Sequence, residues 1–191
     1  MAGFNLDISR SALLVMDFQT SIVERFAQGQ TALIENLAAL ISLARQKNLP
    51  VIYVICAFRP GFPEVSPNNR VFSAVKAAGG WLTDIHPRLA PLATEPVVVK
   101  RRTGAFFGTD LEVILRSSGV DTLILCGINT SGVVLSTVRH AADADYRLVV
   151  VGDCCWDGDE TTHVFLLSKI FPRQADVIQA ADLTHMLLQG S

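Results

Sequence analysis

The residues of this chain that could do chemistry stand directly after short apolar runs. Asp17 follows the run 12–16, and Lys100 follows the run 97–99. A carboxyl group in an apolar pocket can have a raised pKa and transfer a proton, whereas a nearby ammonium group lowers that pKa. The two side chains therefore predict either a catalytic acid–base pair or a buried ion pair that persists because losing one partner would strand the other.

A third position of chemical interest lies in GINTSGVVLSTV, residues 127–138, directly after the apolar run 122–126. The pattern is typical of a strand that turns into a helix, which is where an α/β enzyme would place its nucleophile. This corner carries Val133 and Val134, whose side chains have no nucleophilic atom. Nearby, Cys126 is expected to be a buried strand residue, and Thr130 and Ser131 suit the start of a helix.

The elements that must position these residues are six β-rich apolar runs, which alternate with longer helical patterns and so predict βαβ units. The runs are 12–16, 51–55, 97–99, 123–125, 148–151 and a weaker 175–178. Runs of unbroken Val, Ile and Leu indicate strands that are buried on both faces. We expect an α/β, Rossmann-like fold: a doubly wound, mainly parallel six-stranded sheet with helices on both faces. Ligands bind beyond the carboxyl ends of such strands.

Composition narrows the classes of function. The 191 residues, half of them apolar, predict a single domain over 1–191. Charged residues are 18% and the net charge is −2, so we expect no nucleic-acid partner. No apolar run reaches the roughly 18 residues of a membrane span, and no Gly-rich phosphate-binding motif follows the first strand. The four cysteines lack Cys-x-x-Cys spacing, which favours a soluble protein of the reducing cytoplasm.

The helical patterns are less regular. Ser21 and Glu24 could form a capping box that starts the first helix, and Gly29 could divide that helix in two. Residues 57–96 lose periodicity and are rich in Pro, Gly and Asn. Such a segment predicts a lid or an oligomer contact.

Three blocks of sequence carry a resemblance to a known family. They are LVMDFQ at 14–19, VVK at 98–100 followed by GAFFGTDL at 104–111, and LILCGINT at 123–130. In this order and at these separations they resemble the isochorismatase-like cysteine hydrolase superfamily, over nearly the whole chain. The resemblance implies a catalytic Asp after strand one, a Lys after strand three and a Cys early in the helix after strand four. Asp17 and Lys100 match, but the cysteine position falls on Val133.

The resemblance also implies features around these positions. A non-proline cis peptide is expected at Ile128-Asn129, with the amides that follow, including that of Thr130, forming an oxyanion hole. The family further implies a small-molecule substrate and a homo-oligomer, either a dimer or a tetramer. Its nicotinamidase branch binds a metal after strand two through an aspartate and histidines; here that stretch reads CAFRP, residues 56–60. We therefore expect no catalytic metal and no cofactor.

Candidate substrate contacts lie beside these blocks and in the irregular segment. They are Phe18, Gln19, Arg59, Trp81 and Phe106. Arg59 could bind a substrate carboxylate or face water, and the aromatic residues could wall a pocket or simply pack. An acidic stretch with a histidine, residues 157–163, is expected to be an exposed helix start rather than a metal site.

Three interpretations of function remain open. The first is a hydrolase of a small, anionic molecule that cleaves a C–N or vinyl-ether bond by acid–base chemistry of Asp17 and Lys100. Isochorismatases proper give a precedent, because they also lack the cysteine. The second is a degenerate family member that binds a small molecule or a partner without turnover. The third is a hydrolase that uses Ser131 or Cys126 as its nucleophile.

Overall fold

The computed structural model describes residues 6–189, and the sheet at its centre has six strands. These are β1 (Ser11–Met16), β2 (Val51–Cys56), β3 (Val97–Lys100), β4 (Thr122–Ile128), β5 (Arg147–Trp156) and β6 (Asp176–Ile178). They lie in the order β3-β2-β1-β4-β5-β6, and every neighbouring pair is parallel. The six predicted runs therefore correspond one by one to the strands. Five of them are extended by one to five residues at their ends where backbone pairing continues, and the sixth begins one residue later than predicted, at Asp176.

Helices cover both faces of this sheet. They are α1 (Thr20–Phe26), α2 (Thr31–Gln46), α3 (Arg70–Ala77), α4 (Leu111–Ser117), α5 (Leu135–Asp143), α6 (Glu160–Phe165) and α7 (Ala180–Gln189). One core contains Leu37 of α2 and Leu183 of α7, and the other contains Leu115 of α4 and Val138 of α5. Because strands between two apolar layers must be apolar on both sides, β1 and β4 are buried along their whole length. The predicted doubly wound α/β fold is confirmed.

The order in which strands are added to the sheet reverses between β1 and β4. The chain adds β2 and β3 on one side of β1, and then adds β4, β5 and β6 on the other. The carboxyl ends of the two central strands lie together, with Met16 opposite Gly127. Connections that leave in opposite directions from such a point open a crevice in doubly wound folds.

Two local predictions fare differently in the structure. The capping box is wrong, because α1 begins at Thr20 and the Ser21 hydroxyl instead accepts a hydrogen bond from the amide of Leu82. A break does occur near Gly29, which has a φ of 81° between α1 and α2.

The irregular segment 57–96 contains α3 and a short 3-10 helix at Pro87–Leu89. Across residues 6–189, no helix is both long enough and apolar enough to cross a membrane.

Candidate active site

A cavity of about 120 Å³ lies in the crevice at the ends of β1 and β4. Asp17, Lys100, Asn129 and Val133 all line it, so the structure brings the strand-end residues of the sequence together. A larger hollow of about 280 Å³ lies beside the turn between α1 and α2. We place the candidate active site in the smaller cavity, because it holds Asp17, Lys100 and the helix corner at the switch point of the sheet.

Asp17 and Lys100 form a buried ion pair. Lys100 Nζ lies 2.9 Å from Asp17 Oδ2, and the side chains are only 3% and 8% exposed, respectively. Lys100 Nζ also donates to the carbonyl oxygen of Arg102 at 3.1 Å. The second carboxylate oxygen, Asp17 Oδ1, is buried and accepts no hydrogen bond from the described residues. One oxygen of Asp17 is thus held by Lys100, while the other has no hydrogen-bond partner among the described residues.

The local backbone and environment shape the chemistry of Asp17. Its φ of 61° lies in the left-handed region, which Asp adopts more readily than most residues, and its amide donates to the carbonyl of Val54. Burial raises the pKa of the Asp17 carboxyl above its ordinary value of 3.8, and the Lys100 ammonium opposes this shift without reversing it. A carboxyl group with a raised pKa is suited to proton transfer nearer to neutral pH.

The corner between β4 and α5 has an unusual backbone. The peptide bond between Ile128 and Asn129 is cis, the form that the resemblance implies, and a π-helical turn spans Thr130–Val134 before α5 begins. A Cβ atom at Gly127 would lie 2.9 Å from Val134 Cγ2 and 3.2 Å from Val133 Cγ1. Only glycine leaves room at this position, because real Cβ contacts are longer. The tight corner places Val133 against the cavity.

Polar contacts behind the cavity hold the same corner. Thr130 Oγ1 and His163 Nδ1 form a buried hydrogen bond of 2.8 Å, and the amide of Ser131 donates to Asp157 Oδ2 at 2.7 Å. Burial lowers the pKa of His163, which favours the neutral imidazole. Asp159 and Glu160 at the start of α6 are exposed as expected, whereas Asp157 and His163 of the same stretch are buried. The side chains turn inward to satisfy the polar groups of the corner.

We expect His163→Ala to lower the free energy of unfolding by about 1–3 kcal/mol, because it leaves the buried Thr130 hydroxyl without its partner. Urea unfolding would measure the change. His185→Ala is the matched control, since His185 is exposed on α7 and its loss is expected to change stability by less than about 0.5 kcal/mol. Equal effects of the two substitutions would contradict the proposed support of the corner.

The predicted substrate contacts separate into two groups in the structure. Trp81 lines the cavity. Phe18 packs in the core beside α2, and Phe106 packs on the opposite face, stacked against His140 at 4.6 Å between ring centroids. Arg59 is bonded to Glu64 at 2.5 Å and lies outside the lining. Phe18, Phe106 and Arg59 are therefore not brought to the cavity, because packing or an ion pair directs their side chains elsewhere.

Gln19 acts behind the cavity. It is fully buried, its Oε1 accepts from the amide of Cys56 at 2.6 Å, and its Nε2 donates to the carbonyl of Leu82 at 2.5 Å. One side chain thus connects the end of β2 to the irregular segment. Because it satisfies backbone groups on both, Gln19 positions the wall of the cavity rather than lining it.

The proposed substitute nucleophiles lie away from the cavity. Cys126 is buried within β4, where burial and a hydrogen bond with Cys154 raise the pKa of its thiol, and the exposed Ser131 is outside the lining. The cysteine that does line the cavity is Cys56 at the end of β2. Burial raises the pKa of the Cys56 thiol to about 11, so this thiol stays protonated near neutral pH. Thiolate chemistry at these two positions is disfavoured.

The sequence indicated the apolar wall of the cavity only at Trp81. It consists of Ile22, Phe26, Val71, Phe72, Val75 and Trp81. Val71, Phe72 and Val75 belong to α3, within the segment that lacked a clear pattern. The spacing of Phe72 and Val75 on one side of a short helix was the signal that could have identified them. Within residues 6–189, no group of three or more His, Cys, Asp or Glu side chains is arranged to hold a metal ion.

Comparison with known proteins agrees with this architecture. Residues 11–182 match the isochorismatase domain family. The isochorismatase family protein YwoC of Bacillus subtilis is 33% identical over 180 residues, which are 91% of this chain and 92% of that protein. The maleamate amidohydrolase of Pseudomonas putida KT2440 is 30% identical over 185 residues, which are 93% of this chain and 87% of that protein.

Solved structures show the same likeness. An isochorismatase family protein from Burkholderia thailandensis superposes with a TM-score of 0.81 at 30% identity, covering 96% of this chain and 98% of that one. A cysteine hydrolase from Pseudomonas syringae gives a TM-score of 0.90 at 20% identity, covering 99% and 97%, and shows the shared fold. Since the family match extends from the first strand into the last helix, this chain belongs to the isochorismatase family.

Proposed function

We propose that this protein is a hydrolase of a small molecule that works by acid–base chemistry of Asp17 and Lys100 without a cysteine nucleophile. The observation that carries the proposal is the asymmetry of the Asp17 carboxylate. Lys100 holds Oδ2, whereas Oδ1 is buried without a partner on a residue that lines the cavity. An acid or base needs an atom that no other group of the protein occupies, and Oδ1 is that atom of Asp17 among the described residues.

For a C–N bond, ionised Asp17 acts first as a base. It takes a proton from water while the water oxygen bonds to the substrate carbonyl carbon. As the C–N bond breaks, the same proton passes from Asp17 to the leaving nitrogen. The step consumes one water and needs no oxidant or reductant. The backbone of residues 128–130 would stabilise the negative oxygen of the intermediate, as the resemblance implies.

For a vinyl ether, neutral Asp17 acts first as an acid. It protonates the terminal vinyl carbon, and water adds to the carbon that becomes electron-poor. The added water returns a proton to Asp17, and the hemiketal separates into a carbonyl compound and an alcohol. Both routes leave Val133 as a wall residue only, and in both Lys100 orients the carboxyl group.

The proposal is tested by mass-spectrometric turnover of a panel of amides, carbamoyl compounds and vinyl ethers, with the native protein and Val133→Cys. We expect the native protein to hydrolyse at least one compound of the panel at a rate proportional to the enzyme concentration. A native protein that stays inert while Val133→Cys becomes active would overturn the proposal. That result would favour the second interpretation, in which the cavity is preserved for binding.

The pH dependence of turnover should report the raised pKa of Asp17. For a C–N substrate, we expect kcat/KM to fall as pH falls through a pKa above the ordinary 3.8, because the required carboxylate becomes protonated. A vinyl ether should show the reverse, with kcat/KM falling as pH rises through the same pKa. On the limb of either profile, kcat/KM should change by about tenfold per pH unit. If kcat/KM for both substrates stays constant between pH 4 and 8, a proton-transfer role of Asp17 is contradicted.

The proposal includes a homo-oligomer, either a dimer or a tetramer, that works in a reducing cytoplasm. Large apolar side chains are exposed in the single chain, including Phe107, Val113 and Phe165, which are 68%, 70% and 54% exposed. Association would remove such surface from water. All four cysteines are free and buried, which suits a reducing compartment. Light scattering coupled to gel filtration should give a mass at least twice the 20.7 kDa of the chain.

A further inference from the structure

The charges of the cavity are already paired. Among its lining residues, Lys100 is the cation and Asp17 is the anion, and the two bind each other at 2.9 Å. No arginine is among the lining residues. Arg59 and Arg101 both bind Glu64, at 2.5 and 3.1 Å, and Arg25 lies over the rings of Phe26 and Trp81 from outside the lining. No lining residue is therefore left with a free positive charge to bind a substrate carboxylate.

Two buried hydrogen-bond acceptors nevertheless lack partners. Asp17 Oδ1 and Asn129 Oδ1 are both inaccessible to solvent and receive no hydrogen bond within residues 6–189. Both residues line the cavity, one after β1 and the other after β4. Because a buried acceptor without a donor is unfavourable, these two oxygens call for a ligand that donates hydrogen bonds. A carboxylate only accepts hydrogen bonds and cannot satisfy them.

The remaining wall is apolar and narrow. Side chains of Ile22, Phe72 and Val75 face a volume of about 120 Å³, well below the roughly 300–1,000 Å³ of sites for drug-sized ligands. Val71 and Leu82 are exposed apolar residues of the segment that contains the wall, at 60% and 61%. An ionised group that entered this wall would lose its hydration without an opposite charge in return.

We propose that the cavity selects uncharged molecules with a small apolar body and an N–H donor group directed at Asp17 and Asn129, so that Asn129 determines specificity. This inference deepens the proposed function and rests on it, because it names the class of substrate that the same site would hydrolyse. It also replaces the anionic substrate expected from the sequence, where Arg59 was a candidate for binding a carboxylate. In the structure, Arg59 forms an ion pair with Glu64.

Three compounds of equal size test the inference by binding alone. Isobutyramide is uncharged and carries two N–H donors, isobutyrate is anionic, and 3-methylbutan-2-one is uncharged without a donor. We expect NMR titration of the native protein to show isobutyramide binding at least about tenfold more tightly than either of the others. Asn129→Leu should remove most of this preference over the ketone while leaving the affinity for the ketone unchanged.

Two further variants keep the test decisive. Asn129→Asp retains an acceptor and should preserve the preference for isobutyramide while weakening isobutyrate further, so it serves if the leucine variant fails to fold. Val71→Arg adds a cation to an exposed lining position and should raise the affinity for isobutyrate. Asn68→Leu, in the same segment but outside the lining, is the matched control and should change none of the three affinities.

The outcomes distinguish this inference from the proposed function. Isobutyrate binding as tightly as isobutyramide, or an unchanged preference in both Asn129 variants, would overturn the substrate class. Selective binding of isobutyramide by a protein that hydrolyses no member of the panel would retain the cavity's selectivity and overturn hydrolysis. Turnover of carboxylate-bearing compounds in preference to uncharged ones would retain the hydrolase and overturn the selectivity.

Discussion

Asp17→Asn is expected to lower kcat/KM by about 10²–10⁴-fold, the usual contribution of a positioned general acid or base. Asparagine has nearly the same shape as aspartate and can still accept a hydrogen bond from Lys100. It cannot take a proton from water or return one to a leaving group at neutral pH. The substrate that the native protein turns over fastest would be used, with kcat and KM measured separately.

Most of that loss should appear in kcat, because the proton transfer occurs in the reaction rather than in ground-state binding. Asp143→Asn, at the exposed end of α5, makes the same chemical change and should leave both constants unaltered. Thermal unfolding must show that Asp17→Asn is folded at the assay temperature. A folded Asp17→Asn protein with native kcat/KM would exclude Asp17 as the proton-transfer group.

Lys100→Met is expected to lower the free energy of unfolding by about 3–5 kcal/mol at pH 7.5, because it leaves the Asp17 carboxylate buried without its opposite charge. Methionine has a similar length and keeps the apolar contacts of the lysine stem, so the loss of charge dominates. Asp17 can relieve the cost by binding a proton. The destabilisation should therefore shrink as pH falls from 7.5 to 5, which urea unfolding at both pH values would measure.

The double variant Asp17→Asn with Lys100→Met completes a double-mutant cycle that measures the interaction free energy between the two side chains. It replaces both charges with neutral groups and should be more stable than Lys100→Met alone, since no charge is stranded. Lys76→Met, at an exposed position of α3, is the matched control for loss of a lysine. If the double variant loses the sum of the two single losses, the two side chains do not stabilise each other.

The fold and the family follow from local features of the sequence. Every strand appears as a run of β-branched and Leu residues, because a strand between two apolar layers leaves no position for polar side chains. Asp17 and Lys100 could be identified because they are the first charged residues after such runs. Val133 could be identified by counting from Gly127, since the corner has a fixed length.

The contacts around these residues were less accessible. Phe106 and Phe72 are both aromatic residues near irregular sequence, but one stacks on His140 in the core and the other walls the cavity. The sequence made Arg59 a candidate for binding a substrate carboxylate, but in the structure Arg59 pairs with Glu64. His163, thirty-three positions after Thr130 in the chain, forms a hydrogen bond with it. Such pairings depend on how distant segments pack, and residue spacing does not report them.

The sequence by itself determined the doubly wound sheet, the family, the acid and lysine at the strand ends, and the absence of a thiol at position 133. Those features are written in local hydrophobic patterns and in motifs of fixed spacing. Only the tertiary structure decided which oxygen of Asp17 is free, that Asn129 presents a second unpaired acceptor, and that α3 closes the cavity with apolar side chains. These properties arise where β1, β4 and the segment 57–96 meet. Whether a polar group is buried or paired there depends on residues that are far apart in the chain, and local sequence patterns do not report such contacts.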